Sequence, residues 1–315
     1  MFTKMIVASE LKKGESEIVK CLKGFRKLGA QKILLLRCLN LYEIEAKTSS
    51  LITDVFEENF VKQKEILTEQ GYDVETRIAA GIIRSEINKI SDEEDYSIIV
   101  VGFAKHSMFG EALFGGVAHE LINTVRKPLL IIRIPGNADE IEEGSGDGCD
   151  LTSHILFPTD FSPNSFKAFE VVKKMAESGA KRFTLIHVVN EAHVNEGIPH
   201  RQVEFRTSDM NAEMRTVEST SNEWLKKLSE NDVIRLQELK AELEKNEGIQ
   251  VDIQLLFGKP AGEINRFAEE NDIPLVIMGS QGSGFIKELS LGSVSRNLVR
   301  HSSASILLVP AERNL

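Results

Sequence analysis

The sequence predicts an α/β protein built as two tandem open parallel-sheet domains that pack against each other as a pseudo-dimer. Short apolar runs alternate with stretches of helical spacing along the chain, which is the pattern of a parallel sheet with crossover helices. The pattern also runs twice. Lys4–Ala8, Gly29-Ala30 and Asn40 recur at His154–Pro158, Gly179-Ala180 and Asn190 with a constant offset of 150. Gly71, Gly81, Gly102 and Gly115 recur at Gly248, Gly258, Gly279 and Gly292 with an offset of 177, so the second copy is 27 residues longer. Finally, each copy ends on a short apolar strand, 129–134 and 305–309, and an apolar edge of that kind tends to be paired.

In chain order, residues 4–8 read as a strand and Glu15 to Leu28 as one helix stopped by Gly29. Lys32 to Leu36 is a buried strand. Residues 54–70 have helical spacing, with Gly71 as the stop. Val74–Ala79 alternates as a strand, Ile82–Ile90 is helical and Ser97–Val101 is a β-branched run. A glycine-containing loop, a helix over 116–125 and a strand from Pro128 to Ile134 complete the first copy. The expected domains are therefore 1–135 and 151–315. Residues 136–150 between them are rich in Gly, Asp and Glu, and too polar to bury much, as a linker is. The extra residues of the second copy lie at about 191–232, a polar and partly helical insertion.

Composition narrows the function. A chain of 315 residues is longer than one ordinary core requires. A net charge of −10 excludes a broad basic face for nucleic acid, while leaving room for a local anion pocket. No apolar run reaches membrane-spanning length, so no membrane insertion is expected. The three cysteines, Cys21, Cys38 and Cys149, form no CxxC pair and are odd in number. That argues against structural zinc and a disulfide framework, and for a reducing cytoplasmic setting. No HExxH, Walker or GxSxG motif is present, so no catalytic or metal-ligating residues are assigned. The second-strand histidine, His187, reads as a packed core residue.

The most informative stretch is Val276–Val299. An apolar strand breaks on Gly279, Gly282 and Gly284, and a helical pattern restarts after Gly292-Ser293. Glycines let backbone approach a ligand, and the unpaired N–H groups of a new helix favour an anion by ~0.3–2 kcal/mol. The alternative is a plain strand-to-helix turn, and for Asp160 it is a helix N-cap near Ser162–Asn164.

The spacing Gly279-x2-Gly282-x9-Gly292-Ser293 resembles the nucleotide-binding signature of the universal stress protein family. Ile155–Ser162 resembles that family's first strand and turn, Gly258–Ile264 its third-strand exit, and Ser303–Pro310 its last strand. The resemblance covers nearly the whole chain as two such domains. It implies a Rossmann-like fold of the adenine nucleotide alpha hydrolase type, with domains paired through their last strands; doubling of that pseudo-dimer into a homodimer is a further expectation. It also implies an adenine nucleotide, ATP or AMP, with Mg in the ATP case. In this sequence the implied contacts are Pro158, Thr159 and Asp160 on the adenine or ribose side, and Val188 and Val189 after the second strand, flanking the base. Met278, Gly279, Gln281 and Gly282 would line the nucleoside and ribose, and Gly292, Ser293, Val294 and Ser295 would hold phosphate.

The first copy departs from this pattern. Glu10 stands in place of Asp160 and Lys105 in place of Gly282. The pair Gly115-Gly116 opens the helix without a hydroxyl, and Gly102 is the counterpart of Gly279. The first domain thus reads as a degenerate nucleotide domain. The leading functional reading is a stress-response regulatory factor that binds nucleotide, with at most weak ATP hydrolysis. The alternatives are a nucleotide-hydrolysing or nucleotidyl-transfer enzyme of the same fold group, and a structural pairing module that binds nothing.

Overall fold

The computed structural model describes residues 2–9, 15–39, 50–104, 116–134, 149–190, 223–282 and 291–311. The first half comprises β1 (Lys4–Ala8), α1 (Glu15–Lys20), α2 (Lys23–Lys27), β2 (Lys32–Leu39), α3 (Ser50–Glu69), β3 (Asp73–Ala80), α4 (Ile83–Glu93), β4 (Ile98–Ala104), α5 (Gly116–Ile122) and β5 (Leu129–Ile134). The second comprises β6 (Ile155–Pro158), α6 (Pro163–Glu177), β7 (Arg182–Asn190), α7 (Glu223–Leu243), β8 (Gln250–Gly258), α8 (Pro260–Glu270), β9 (Leu275–Gly279), α9 (Ser293–His301) and β10 (Ser305–Val309).

The strands form one ten-stranded sheet in the order β3-β2-β1-β4-β5-β10-β9-β6-β7-β8. Each half is parallel throughout, and the halves meet antiparallel, with Leu129, Leu130 and Ile131 opposite Leu308, Leu307 and Ile306. The expected pairing through the last strands is therefore found. Alternation along each strand feeds two cores, one per face. Met5, Val7, Ile33 and Leu35 face one core with Phe25, Phe169 and Leu236. Ile6, Leu34 and Leu36 face the other with Ile87, Leu121 and Leu298. Both cores run through both halves, so the junction is as apolar as either interior.

Arg133 makes polar contacts across that junction, its backbone N–H donating to Ser305 Oγ at 3.1 Å. Arg133 of β5 lies with its guanidinium 4.2 Å from the centre of the Phe103 ring. It donates to the carbonyls of Leu298, at 3.0 Å, and Val299 in the last turn of α9. Burial lowers its pKa to about 10, which leaves it charged at neutral pH. A cation against the carbonyls of a last helical turn stabilises the helix. The position equivalent to Arg133 in the second half is Pro310, which has no side chain to return the contact.

Three expectations need correction. The helix expected over 15–28 breaks at Cys21-Leu22 into α1 and α2. There Gly24 backs onto the turn after the linker, where a Cβ would come within 2.4 Å of Asp150 Oδ1 and 2.5 Å of Thr152 Oγ1. The cysteines are not all reduced: Cys21 and Cys149 form a disulfide across 128 residues. Counting thiols missed it because a single bridge needs only proximity, which the fold supplies. Cys38 stays free and buried, its thiol pushed up to about 11 by burial. Lastly, residues 223–232, assigned to the insertion, belong to α7, which packs on β7 and β8 in the role α3 plays in the first half. Residues 191–222 lie outside the described residues, as does most of the linker. No helix among the described residues is long and apolar enough to cross a membrane.

His154, just before β6, is buried and shares a 2.9 Å hydrogen bond with Thr184 Oγ1. Burial, followed by the nearby Arg182 charge, depresses its pKa to about 4. The folded protein therefore binds fewer protons than the unfolded chain between about pH 6.5 and 4, and stability falls as pH drops through that window. The depression corresponds to roughly 3 kcal/mol. Urea unfolding of His154→Gln should show a correspondingly flatter loss of stability between pH 6.5 and 4 than wild type.

Candidate functional site

In the second half the chain leaves β6 for β7 and β8 on one side, then returns to β9 on the other. The break in direction lies between β6 and β9, and ligands of open parallel sheets sit outside the carboxyl ends of the strands at such a point. The turn after β6 and the glycine loop after β9 both emerge there.

The turn after β6 is tightly built. Pro158 ends the strand opposite Ile186. Thr159 is buried: its N–H donates to the Ile186 carbonyl at 2.8 Å, and its hydroxyl shares a 2.7 Å bond with Ser165 Oγ. The Thr159 hydroxyl also accepts from Phe161 N at 3.0 Å. Phe161 has φ of 57°, an outlier for a bulky residue. Asp160, exposed at the tip, accepts from Ser162 N at 3.1 Å. Ser162 is the N-cap of α6, accepting from Ser165 N at 3.2 Å. The cap that sequence reasoning offered as an alternative role for Asp160 is thus filled by Ser162.

Across the gap, two glycines lie against close neighbours, one of them a backbone carbonyl. A Cβ on Gly282 would lie 2.5 Å from Asp160 Oδ2, and one on Gly279 would lie 2.7 Å from Asn164 Nδ2 and 3.1 Å from the Asn164 carbonyl. Asn164 Nδ2 donates to the Gln281 carbonyl at 2.8 Å, tying the loop to α6. Asn164 Oδ1 is buried with no hydrogen-bond partner among the described residues. Where the loop returns, Gly292 N donates to the Ser280 carbonyl at 2.9 Å. Gly292 then acts as N-cap of α9 without a side-chain cap. The N–H groups of Ser293, Val294 and Ser295 precede the first intrahelical bond, from Arg296 N to the Gly292 carbonyl, so they are the donors that an anion would meet.

Several expected contacts are thereby brought together: Asp160 with Gly282, Gly279 with Gln281, and Ser293 and Val294 at the mouth of the helix. Others are placed differently. The Ser295 hydroxyl is buried and donates to the Gly279 carbonyl at 3.0 Å, so its side chain braces the loop and only its N–H faces the helix start. Val188 and Val189 lie inside β7 rather than after it, and point to opposite faces. Val188 joins the core that holds Met278, and both are almost fully buried, so they offer a base mainly an apolar floor. Residues 283–290 are outside the described set. So are Glu10, Lys105 and Gly115 of the first copy, where Gly102 lies within β4 and Gly116 opens α5.

Sequence reasoning missed Asn164 and Phe161 as parts of the site, and it placed His187 only in the core. Asn164 carried one usable signal, a polar residue in the first turn of the helix that follows strand one. Nothing local marks a bulky residue such as Phe161 for positive φ.

A family model described as the universal stress protein family matches residues 30–133 and 152–310. Over 155 residues the chain is 32% identical to universal stress protein MJ0577 of Methanocaldococcus jannaschii, spanning 49% of this chain and 93% of that protein. It is 26% identical over 159 residues to universal stress protein YxiE of Bacillus subtilis, spanning 50% of this chain and 99% of that one. The crystal structure of a universal stress protein from Archaeoglobus fulgidus covers 98% of this chain and 99% of its own, with a TM-score of 0.63 and 22% identity. That likeness is one of fold.

Proposed function

Because the chain belongs to the universal stress protein family, we propose that its second domain binds an adenine nucleotide, ATP or AMP, and that this binding serves a regulatory role in stress response. The observation that supports this most directly is the convergence of three features at one switch point. These are the Asp160 turn, glycines whose Cβ positions are blocked, and an uncapped helix start at Gly292. Phosphate would accept from the N–H groups of Ser293, Val294 and Ser295, at the positive end of the α9 dipole. Ribose would lie beside the paired Asp160 and Gly282, and the base over Val188 and Met278, near Pro158 and Thr159. With ATP, magnesium would supply charge neutralisation of the phosphates. Among the described residues no group of three or more His, Cys, Asp and Glu converges, so the ion would draw its ligands chiefly from phosphate and water.

We place the domain limits at 1–135 and 151–315, with 136–150 as linker. The first domain serves as a degenerate partner, and two chains pair into a homodimer. Mass spectrometry of freshly purified, denatured protein should detect ATP or AMP. Nucleotide-free protein that also fails to take up ATP or AMP in titration calorimetry would leave the glycine loop as a plain turn.

A further inference from the structure

The helix α7 also reaches the nucleotide turn. Arg235 places its guanidinium 3.9 Å from the centre of the Phe161 ring, and the His187 ring packs 4.8 Å from the same ring. His187 Nδ1 lies 2.7 Å from the Thr159 carbonyl, and Nε2 lies 3.5 Å from Asp232 Oδ2 on α7. Both ring nitrogens therefore face oxygen atoms, one on the turn and one on α7. Asp232 is itself buried and lies 4.0 Å from Arg235. The first domain keeps part of this arrangement at the equivalent position, where Arg37 NH1 donates to the Ser9 carbonyl at 3.2 Å.

Resting on the nucleotide reading above, we propose that α7 is a positioning clamp for that site. Arg235 and Asp232, acting through Phe161 and His187, hold the Thr159–Phe161 turn so that Asp160 stays against Gly282, without touching nucleotide themselves. Phe161 is the pivot of the turn. A bulky residue keeps a left-handed backbone only where its surroundings over-determine it, and here they do so through its ring. Released from Arg235, Phe161 can return to negative φ, and Asp160, the residue before it, turns away from Gly282.

The test compares Arg235→Gln, Asp232→Asn and Arg235→Lys with Gln237→Ala, an exposed control on the same helix. The Arg235 side chain is 45% exposed, so its substitution leaves the core intact. Two readouts are taken: nucleotide affinity by calorimetry, and amide hydrogen exchange at Phe161 and Ser162, whose N–H groups bond within the turn. Arg235→Gln is expected to weaken binding and speed exchange by about tenfold each. Arg235→Lys should recover part of both, and Gln237→Ala should change neither. Unchanged exchange at Phe161 and Ser162 in Arg235→Gln overturns the clamp whatever the nucleotide does. Faster exchange with wild-type affinity also overturns it, by severing turn order from binding. If wild type binds neither ATP nor AMP, the nucleotide reading fails, and the exchange data alone still decide whether α7 orders the turn.

Discussion

Reducing the Cys21–Cys149 disulfide, or replacing Cys149 by serine, is expected to lower stability by about 4–5 kcal/mol and the Tm by roughly 10 °C. The bridge closes a loop spanning 128 residues, and the chain entropy it removes from the unfolded state grows with loop length. The other ties at this joint are weaker. Lys27 and Asp150 approach only to 3.9 Å with side chains 68% and 42% exposed, and such a pair contributes little. The packing of Gly24 against Asp150 and Thr152 is local and depends on the bridge to hold the turn in register. Differential scanning calorimetry with and without reductant measures the effect. Thiol titration under denaturing conditions should count one free thiol, that of Cys38, before reduction and three after. Equal Tm values in the two redox states would remove the bridge from the account of stability.

The second large effect is expected at Gly279. In Gly279→Ala the new methyl group meets Asn164 Nδ2 at 2.7 Å and the Asn164 backbone carbonyl at 3.1 Å. The amide could swing away, but only by giving up its bond to the Gln281 carbonyl. The backbone carbonyl, in the first turn of α6, cannot. The loop must therefore move relative to α6. We expect at least a ~10-fold loss of nucleotide affinity and an overpacking cost of about 1–3 kcal/mol. Gly262→Ala, in α8 with nothing within 4 Å of its Cβ, provides the contrast. It should leave affinity unchanged and raise stability by up to about 1 kcal/mol. Gly282→Ala lies between them, because its methyl group would meet only the movable end of Asp160. It should weaken binding with little effect on unfolding. Calorimetry and urea unfolding of the three variants separate these outcomes.

Much of this architecture is legible in the sequence because a buried parallel strand and an amphipathic helix leave different periods. The glycine landmarks repeat in register because each marks a backbone geometry that the fold needs twice. Gly29, Gly71, Gly81, Gly179, Gly248 and Gly258 all have positive φ. The apolar end strands announced their own pairing. Features made by tertiary proximity were not legible. The disulfide joins residues with no motif between them, and Arg133 reaches α9 only because β5 pairs with β10. Within the site, the glycines and Asp160 were readable as a pattern. The use of Ser295 as a brace, the position of Val188 inside its strand and the left-handed Phe161 depend on side-chain directions that spacing does not encode. The insertion was drawn too long because a helix returning to the sheet has the same polar outer face as one that leaves it.

The most direct test of the central claim, one intact and one degenerate nucleotide site per chain, is native mass spectrometry of the full chain titrated with ATP and with AMP. The account predicts saturation at one nucleotide per chain, lost in Gly279→Ala. Two nucleotides per chain, or none at saturating concentration, would contradict it.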